Sequence, residues 1–355
     1  MSDSFMGGRE RYDYLDIAKG LGIMMVVWGH IMHSGWSYNL VYAFHMPLFF
    51  FLSGMLFQRG KYISFMDFIR KRARRLFVPY VIYSVITWGF WVGYNMFLHN
   101  DVDSYWNPLF QTVIAKGSGE FMPHNSALWF IPCLFAVEII YYMLSKLKDI
   151  VNVLISFALA SVSIILAHIF GEDWLFLLPW NFDAALIAIP FYCVGNLLVK
   201  HCSFARIKDA VKNNALISIV LWGGLTALLV WGTFHFGTCS MGSSWYGCNE
   251  WVFILRAFVG IAATLVFSIL ISCYSLNYIK WLGRTSLDVM CVHIPVKGVV
   301  IIAITALLHP VAPVDKTFTW ALLAWVMTML VVSVIVWGID GYIRPYFKNK
   351  LTVKK

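Results

Sequence analysis

Long apolar runs separated by short polar or charged stretches dominate the chain. Ten stand out, at residues 17–34, 40–57, 77–98, 127–144, 151–170, 174–199, 215–236, 251–274, 287–308 and 318–339. Each comes close to the roughly 20 residues that a helix rising 1.5 Å per residue needs to cross a hydrocarbon core of about 30 Å. Only backbone bonded to itself, as in a helix, is tolerated there. The pattern predicts an all-α fold, a polytopic transmembrane bundle of about ten helices. Two connections are longer than a tight turn. One, 99–126, faces outward and reads as a lid or substrate-facing element. The other, 58–76, contains FMDFIRKRARRLF, in which Phe65, Phe68 and Ile69 alternate with a dense set of basic residues. It predicts a basic amphipathic helix lying at the inner leaflet.

Composition agrees with lipid as the solvent. Of 355 residues, 60% are hydrophobic and only 13% charged, too few ionisable groups to clothe a water-soluble globule. No internal repeat, low-complexity tract or soluble insertion divides the chain, so residues 1–355 read as a single membrane-embedded domain. Its ends are a cytoplasmic segment 1–15 and a basic cytoplasmic tail 341–355. The first run follows Arg9, Glu10, Arg11 and Asp13 and lacks a small-residue cleavage site, which predicts an anchor that is retained.

Lys and Arg collect in cytoplasmic loops. Placing both termini inside puts Arg59–Arg75, Lys146, Lys148, Lys200–Lys212, Lys280, Arg284 and the tail in the cytoplasm, leaving Lys116 and Lys316 outside. The net charge of +9 is then a topology signal and not a nucleic-acid footprint. Seven cysteines without CxxC or Cys/His spacing predict no metal site. Cys239 and Cys248 share one outside loop and read either as a disulfide or as two free thiols.

Ionisable residues within spans are expensive and mark function by default. Lys19 and His30 are eleven residues apart in the first run, close to three turns, so they share a face about 16 Å apart along the axis. Asp16 and His33 fall near the same stripe. The plain alternatives are a Lys19 that snorkels to inner headgroups and a His30 bonded to a neighbouring helix. His45, in YAFHMPLFFFLSG, lies at a comparable depth if the second helix returns inward, so the two histidines can face one another. Ser53 beside Gly54 reads more readily as close packing than as a nucleophile. Glu138, Asp183, Arg256, Asp288, His293 and Lys297 complete a polar interior, with Asp183–Arg256 and Glu138–Lys297 as conceivable ion pairs. His124 marks the mouth of the fourth run with Trp129 one turn below, as an acceptor-side feature or as a helix cap beside an interfacial anchor.

Together these residues resemble the acyltransferase 3 family of membrane acyltransferases, near its sugar O-acetyltransferase branch, over Tyr14 to about Pro345. YLDIAKGLGIMMVVWGH is similar to the family's opening helix, in which a basic residue precedes a histidine by eleven positions. Here the pair is Lys19 and His30, lysine keeping the charge of the usual arginine without its planar fork. FHMPLFFFLSG is similar to the second-helix signature. RKRARRLFVPY resembles an inner motif of two arginines three apart before a helix-starting proline, giving Arg72, Arg75 and Pro79. HNSALWF and LGRTSLDVMCVHIPV resemble the middle and late segments.

The resemblance implies a membrane O-acyltransferase of the bacterial inner (plasma) membrane. Acetyl-CoA (an acyl-CoA) is the implied co-substrate and a hydroxyl of a cell-surface or lipid-linked saccharide the acceptor. His30 is implied as general base or transient acyl carrier, with His45 and Lys19 assisting, and Arg72, Arg75 and Lys19 as donor-binding residues. His124, Trp129, Asp183 and Arg256 are then acceptor-side candidates, and Asp16, Glu138, Ser53, His293 and Lys297 further polar interior. The competing class is a transporter or exporter of a small polar metabolite, which the polar interior supports and the missing inverted repeat opposes. A structural or sensory membrane protein would leave the buried charges without a task.

Overall fold

The computed structural model describes residues 12–117, 121–170, 178–247, 249–310 and 313–344. Among these residues the chain is helical with no strand, and a lone bridge joins Ser240 to Trp245. Among the described residues eight helices are long and apolar enough to cross a membrane. Seven of them are α6 (Phe130–Leu144, with the 3₁₀ turn before it), α7 (Asp149–Phe170), α8 (Phe182–His201), α10 (Ala215–Phe236), α11 (Glu250–Leu270), α13 (Ser286–Leu308) and α14 (Phe318–Gly338). The eighth is α4 (Phe65–Leu98). The polar first run is α1 (Asp13–Ile31), and short helices α5 (Asn107–Ile114), α9 (Phe204–Asn213) and α12 (Asn277–Arg284) lie between spans.

The second apolar run is not one helix. It forms α2 (Trp36–Tyr42) and α3 (His45–Met55), preceded by Gly35 at a φ of 94° and broken where Phe44 leaves the helical region. Pro47, two residues into α3, supplies no backbone donor, so its ring sits where helices tolerate it. Irregular backbone at membrane depth needs protein around it, and Ala43, Phe44 and His45 are all buried.

The basic inner segment departs from expectation. It is not a separate interfacial helix followed by one that starts at Pro79. A single helix of 34 residues runs from Phe65 to Leu98 with Pro79 inside it, about 51 Å at 1.5 Å per residue. Ser64 caps its start by accepting from the Asp67 N–H (3.1 Å), while Asp67 accepts from the Ile63 N–H (3.1 Å). With its first turn secured, the helix loses one backbone donor at Pro79 without ending.

Close backbone approaches hold the bundle. α3 packs on α8 so tightly that a Cβ on Gly54 would lie 2.0 Å from the Tyr192 carbonyl oxygen, and one on Gly195 2.2 Å from that of Phe51. The Ser53-Gly54 pair is therefore a packing element. The N-terminal end of α1 is fastened to α12 by ion pairs Asp13–Lys280 (2.6 Å) and Asp16–Arg284 (3.3 Å). On the outer side Asn181 ties two loops together, accepting from the Gly117 N–H (2.8 Å) and donating to the Gly242 carbonyl (2.7 Å).

The two conceivable ion pairs do not form. Glu138 is bonded by Arg72. Asp183 accepts from Ser244, and Arg256 donates to the Gly232 and Gly237 carbonyls and to Cys239. Glu138 thus has a nearer charge partner on α4, whereas Asp183 and Arg256 are each engaged by neutral groups and the buried Arg256 Nε has no hydrogen-bond partner. The Cys239–Cys248 pairing lies outside the described residues, because Cys248 is not among them.

Candidate active site

His30 occupies the last turn of α1. Its nearest described imidazole belongs to His293 of α13, with ring centroids 5.0 Å apart, and not to His45 as the sequence suggested. Tyr42 stands between His30 and His45, 6.3 Å from the first ring and 4.8 Å from the second. Lys297 follows His293 by one helical turn, which puts both on one face of α13. Its Nζ donates to the His30 carbonyl at 2.6 Å. That carbonyl belongs to the last turn of α1, where the helix itself supplies no partner.

Hydrogen bonding sets the tautomers. His293 Nδ1 faces the carbonyls of Met290 (2.8 Å) and Val289 (3.1 Å), and His45 Nδ1 that of Val41 (2.8 Å). A carbonyl can only accept, so in both rings Nδ1 carries the proton and Nε2 offers a lone pair. His293 Nε2 is buried and has no partner. A buried polar atom without a partner needs a reason. Here it lies on a ring 5.0 Å from that of His30.

The other expected residues sit elsewhere. Lys19 and Asp16 lie three or more turns further in along α1. Arg72 grips Glu138 through two parallel bonds, Nε to Oε2 at 2.6 Å and Nη2 to Oε1, a fork-to-fork geometry that also fixes the arginine. Arg75 follows one turn later. His124 is buried with neither ring nitrogen bonded, and burial pushes its imidazole down to about 4. Its neighbour Asn125 donates to the Cys291 carbonyl (2.6 Å), linking the outer loop to α13 two residues before His293. Trp129 is buried beneath Gly117 and Gly242. Asp183 and Arg256 serve the outer loops as described above. Lys116 is buried as well, and burial pushes its ammonium down while Asp183 acts the other way.

Tyr42 and Asn125 as connectors, and Lys297 as the group fastening α1, emerge only from the three-dimensional arrangement. The helix break that delivers Tyr42 did have a signal, in Gly35 and Pro47. Among the described residues no group of His, Cys, Asp or Glu is arranged to hold a metal ion.

Fold and site define a polytopic helical membrane protein with buried histidines, two of them, His45 and His293, of fixed tautomer. The chain matches the acyltransferase 3 family, described as an acyltransferase domain, over residues 12–338, and it belongs to that family. It is thus a membrane acyltransferase. No curated protein matches it and no solved structure does.

Proposed function

We propose that this protein moves an acetyl group from cytoplasmic acetyl-CoA to a hydroxyl of a cell-surface or lipid-linked saccharide, with both termini in the cytoplasm of a bacterial inner membrane. The observation that carries the reading is the pairing of His30 with His293, held by Lys297 on the His30 carbonyl. His30 takes the proton from the acceptor hydroxyl as that oxygen attacks the thioester carbonyl carbon. The carbon–sulfur bond breaks, and the departing thiolate is protonated by the imidazolium. In the two-step form the acetyl group rests on a His30 nitrogen before the acceptor oxygen takes it. His45 assists from across Tyr42. Lys19, Arg72 and Arg75 attract the donor from the inner side, and His124 stands on the acceptor side.

The test is transfer of radiolabelled acetyl from acetyl-CoA in membranes carrying the His30→Ala variant. Loss of a positioned general base removes on the order of 10²–10⁴-fold in rate, while the variant still inserts and still binds coenzyme A. Full transfer by His30→Ala would sink the mechanism.

A further inference from the structure

At the inner ends of α3, α6, α7 and α8 lies a cavity of about 180 Å³ that the catalytic reading leaves unused. Its wall carries Arg59, Tyr141, Ser145, Asp149, Asn152, Asn196 and Lys200. Asn152 is buried, and its amide is bonded only at long range: it donates to the Tyr141 hydroxyl at 3.4 Å and accepts from Cys193 at 3.5 Å. Arg59 lies over the Tyr142 ring at 4.1 Å and donates to Ser145 at 3.0 Å. Lys200 pairs with Asp149 at the exposed rim.

Arg59, a Lys200 that must be drawn from its ion pair with the lining Asp149, and a weakly engaged amide in the wall suit a phosphate ester attached to a flat, hydrogen-bonding group. The cavity is smaller than the roughly 300 Å³ of a pocket that swallows a drug-sized ligand. It takes one end of a longer molecule.

Position says which molecule. Phe57 lines the cavity, and α3, which ends two residues before it at Met55, runs back to His45. Ten residue steps at 1.5 Å make that helix about 15 Å long, comparable to an extended pantetheine arm of about 15–20 Å. The neighbouring contacts between α4 and α6 form a ladder. Tyr142 stacks on Phe68 with centroids 4.4 Å apart, and one turn deeper Arg72 holds Glu138. We infer that this cavity is the seat of the phosphorylated nucleoside end of the acyl donor, with α3 as the measure that sets the thioester beside the histidines. The inference rests on the donor being a coenzyme A thioester.

The experiment uses the full chain in inverted membrane vesicles from its own cells, which carry the acceptor, with acetyl transfer from acetyl-CoA and binding of adenosine 3′,5′-bisphosphate as readouts. Two variants address the cavity, Lys200→Glu at its mouth and Ser145→Trp, which fills it. Arg206→Ala, on inner helix α9 away from the cavity, is the control. The bisphosphate should bind the unaltered protein and compete with acetyl-CoA. Each cavity variant should raise KM for acetyl-CoA about tenfold or more, the value of one charge-assisted bond, with kcat retained and Arg206→Ala unchanged. Unchanged KM in both cavity variants of a protein that turns over acetyl-CoA overturns the inference and spares the proposed function. A cavity that takes dihexanoyl phosphatidylglycerol and not the bisphosphate is a lipid site, which overturns it too. No binding or turnover of acetyl-CoA by the unaltered protein overturns the proposed function and this inference with it.

Discussion

At the scale of single residues, hydrogen bonds decide which side chains can do chemistry. His293 commits Nδ1 to carbonyls of its own helix and leaves Nε2 as a base, while Lys297 fastens the backbone of His30. Lys297 is a positioning residue in this arrangement. Lys297→Met should lower kcat by about tenfold or more while KM for acetyl-CoA stays put, because the lost bond to the carbonyl is worth about 1.5–3 kcal/mol in alignment. Steady-state kinetics on the variant check this, with partial recovery expected for Lys297→Arg. His124 predicts a pH effect. Its pKa falls from 6.5 to about 4 on folding, so between those values the unfolded chain binds a proton that the folded one refuses. The stability tied to a neutral His124 is present above pH 6.5 and declines as pH drops toward 4. Melting temperatures at pH 7 and pH 5 should therefore differ less in His124→Gln than in the unaltered protein. Sequence named His30, His45, His124, His293 and Lys297 because membrane burial makes ionisable groups conspicuous. It could not tell which imidazole faces which, since spacing along one helix says nothing about rotation of the next.

At the scale of elements, the apolar runs were legible almost throughout, because twenty-odd consecutive apolar residues have few other fates. The two departures lie where local backbone chemistry competes with the run. The second run breaks into α2 and α3, and the basic segment before the third fuses with it into one 34-residue helix. That fusion changes the reading of Arg72. It is held against α6 by Glu138, which is 2% exposed. A Glu138→Gln substitution leaves the guanidinium without its counter-charge and should destabilise the protein by about 3 kcal/mol, whereas an Arg72→Met, Glu138→Leu double variant should recover most of that. Thermal unfolding in detergent measures both. If Arg72 also serves the donor, the double variant regains stability and keeps a raised KM for acetyl-CoA. If the pair is only a clamp, KM returns to normal with stability.

At the scale of the whole molecule, charge asymmetry and the helix order combine into a direction. The rule that Lys and Arg remain inside sets the start of α1, the Arg59–Arg75 stretch, α9 and α12 on one side, and the Asn181-tied loops on the other. The histidines then lie between a cationic inner face and a loop-capped outer face, with α3 bridging from the inner cavity to His45. A donor that carries phosphates cannot cross the bilayer unaided, so the two faces are not equivalent to it. Inverted membrane vesicles, which present the cytoplasmic face to the medium, should incorporate acetyl from added acetyl-CoA. Sealed right-side-out vesicles from the same cells should do so only after permeabilisation. Equal incorporation by intact vesicles of both orientations would mean that the donor site opens outward, and the positive-inside assignment of this chain would be reversed.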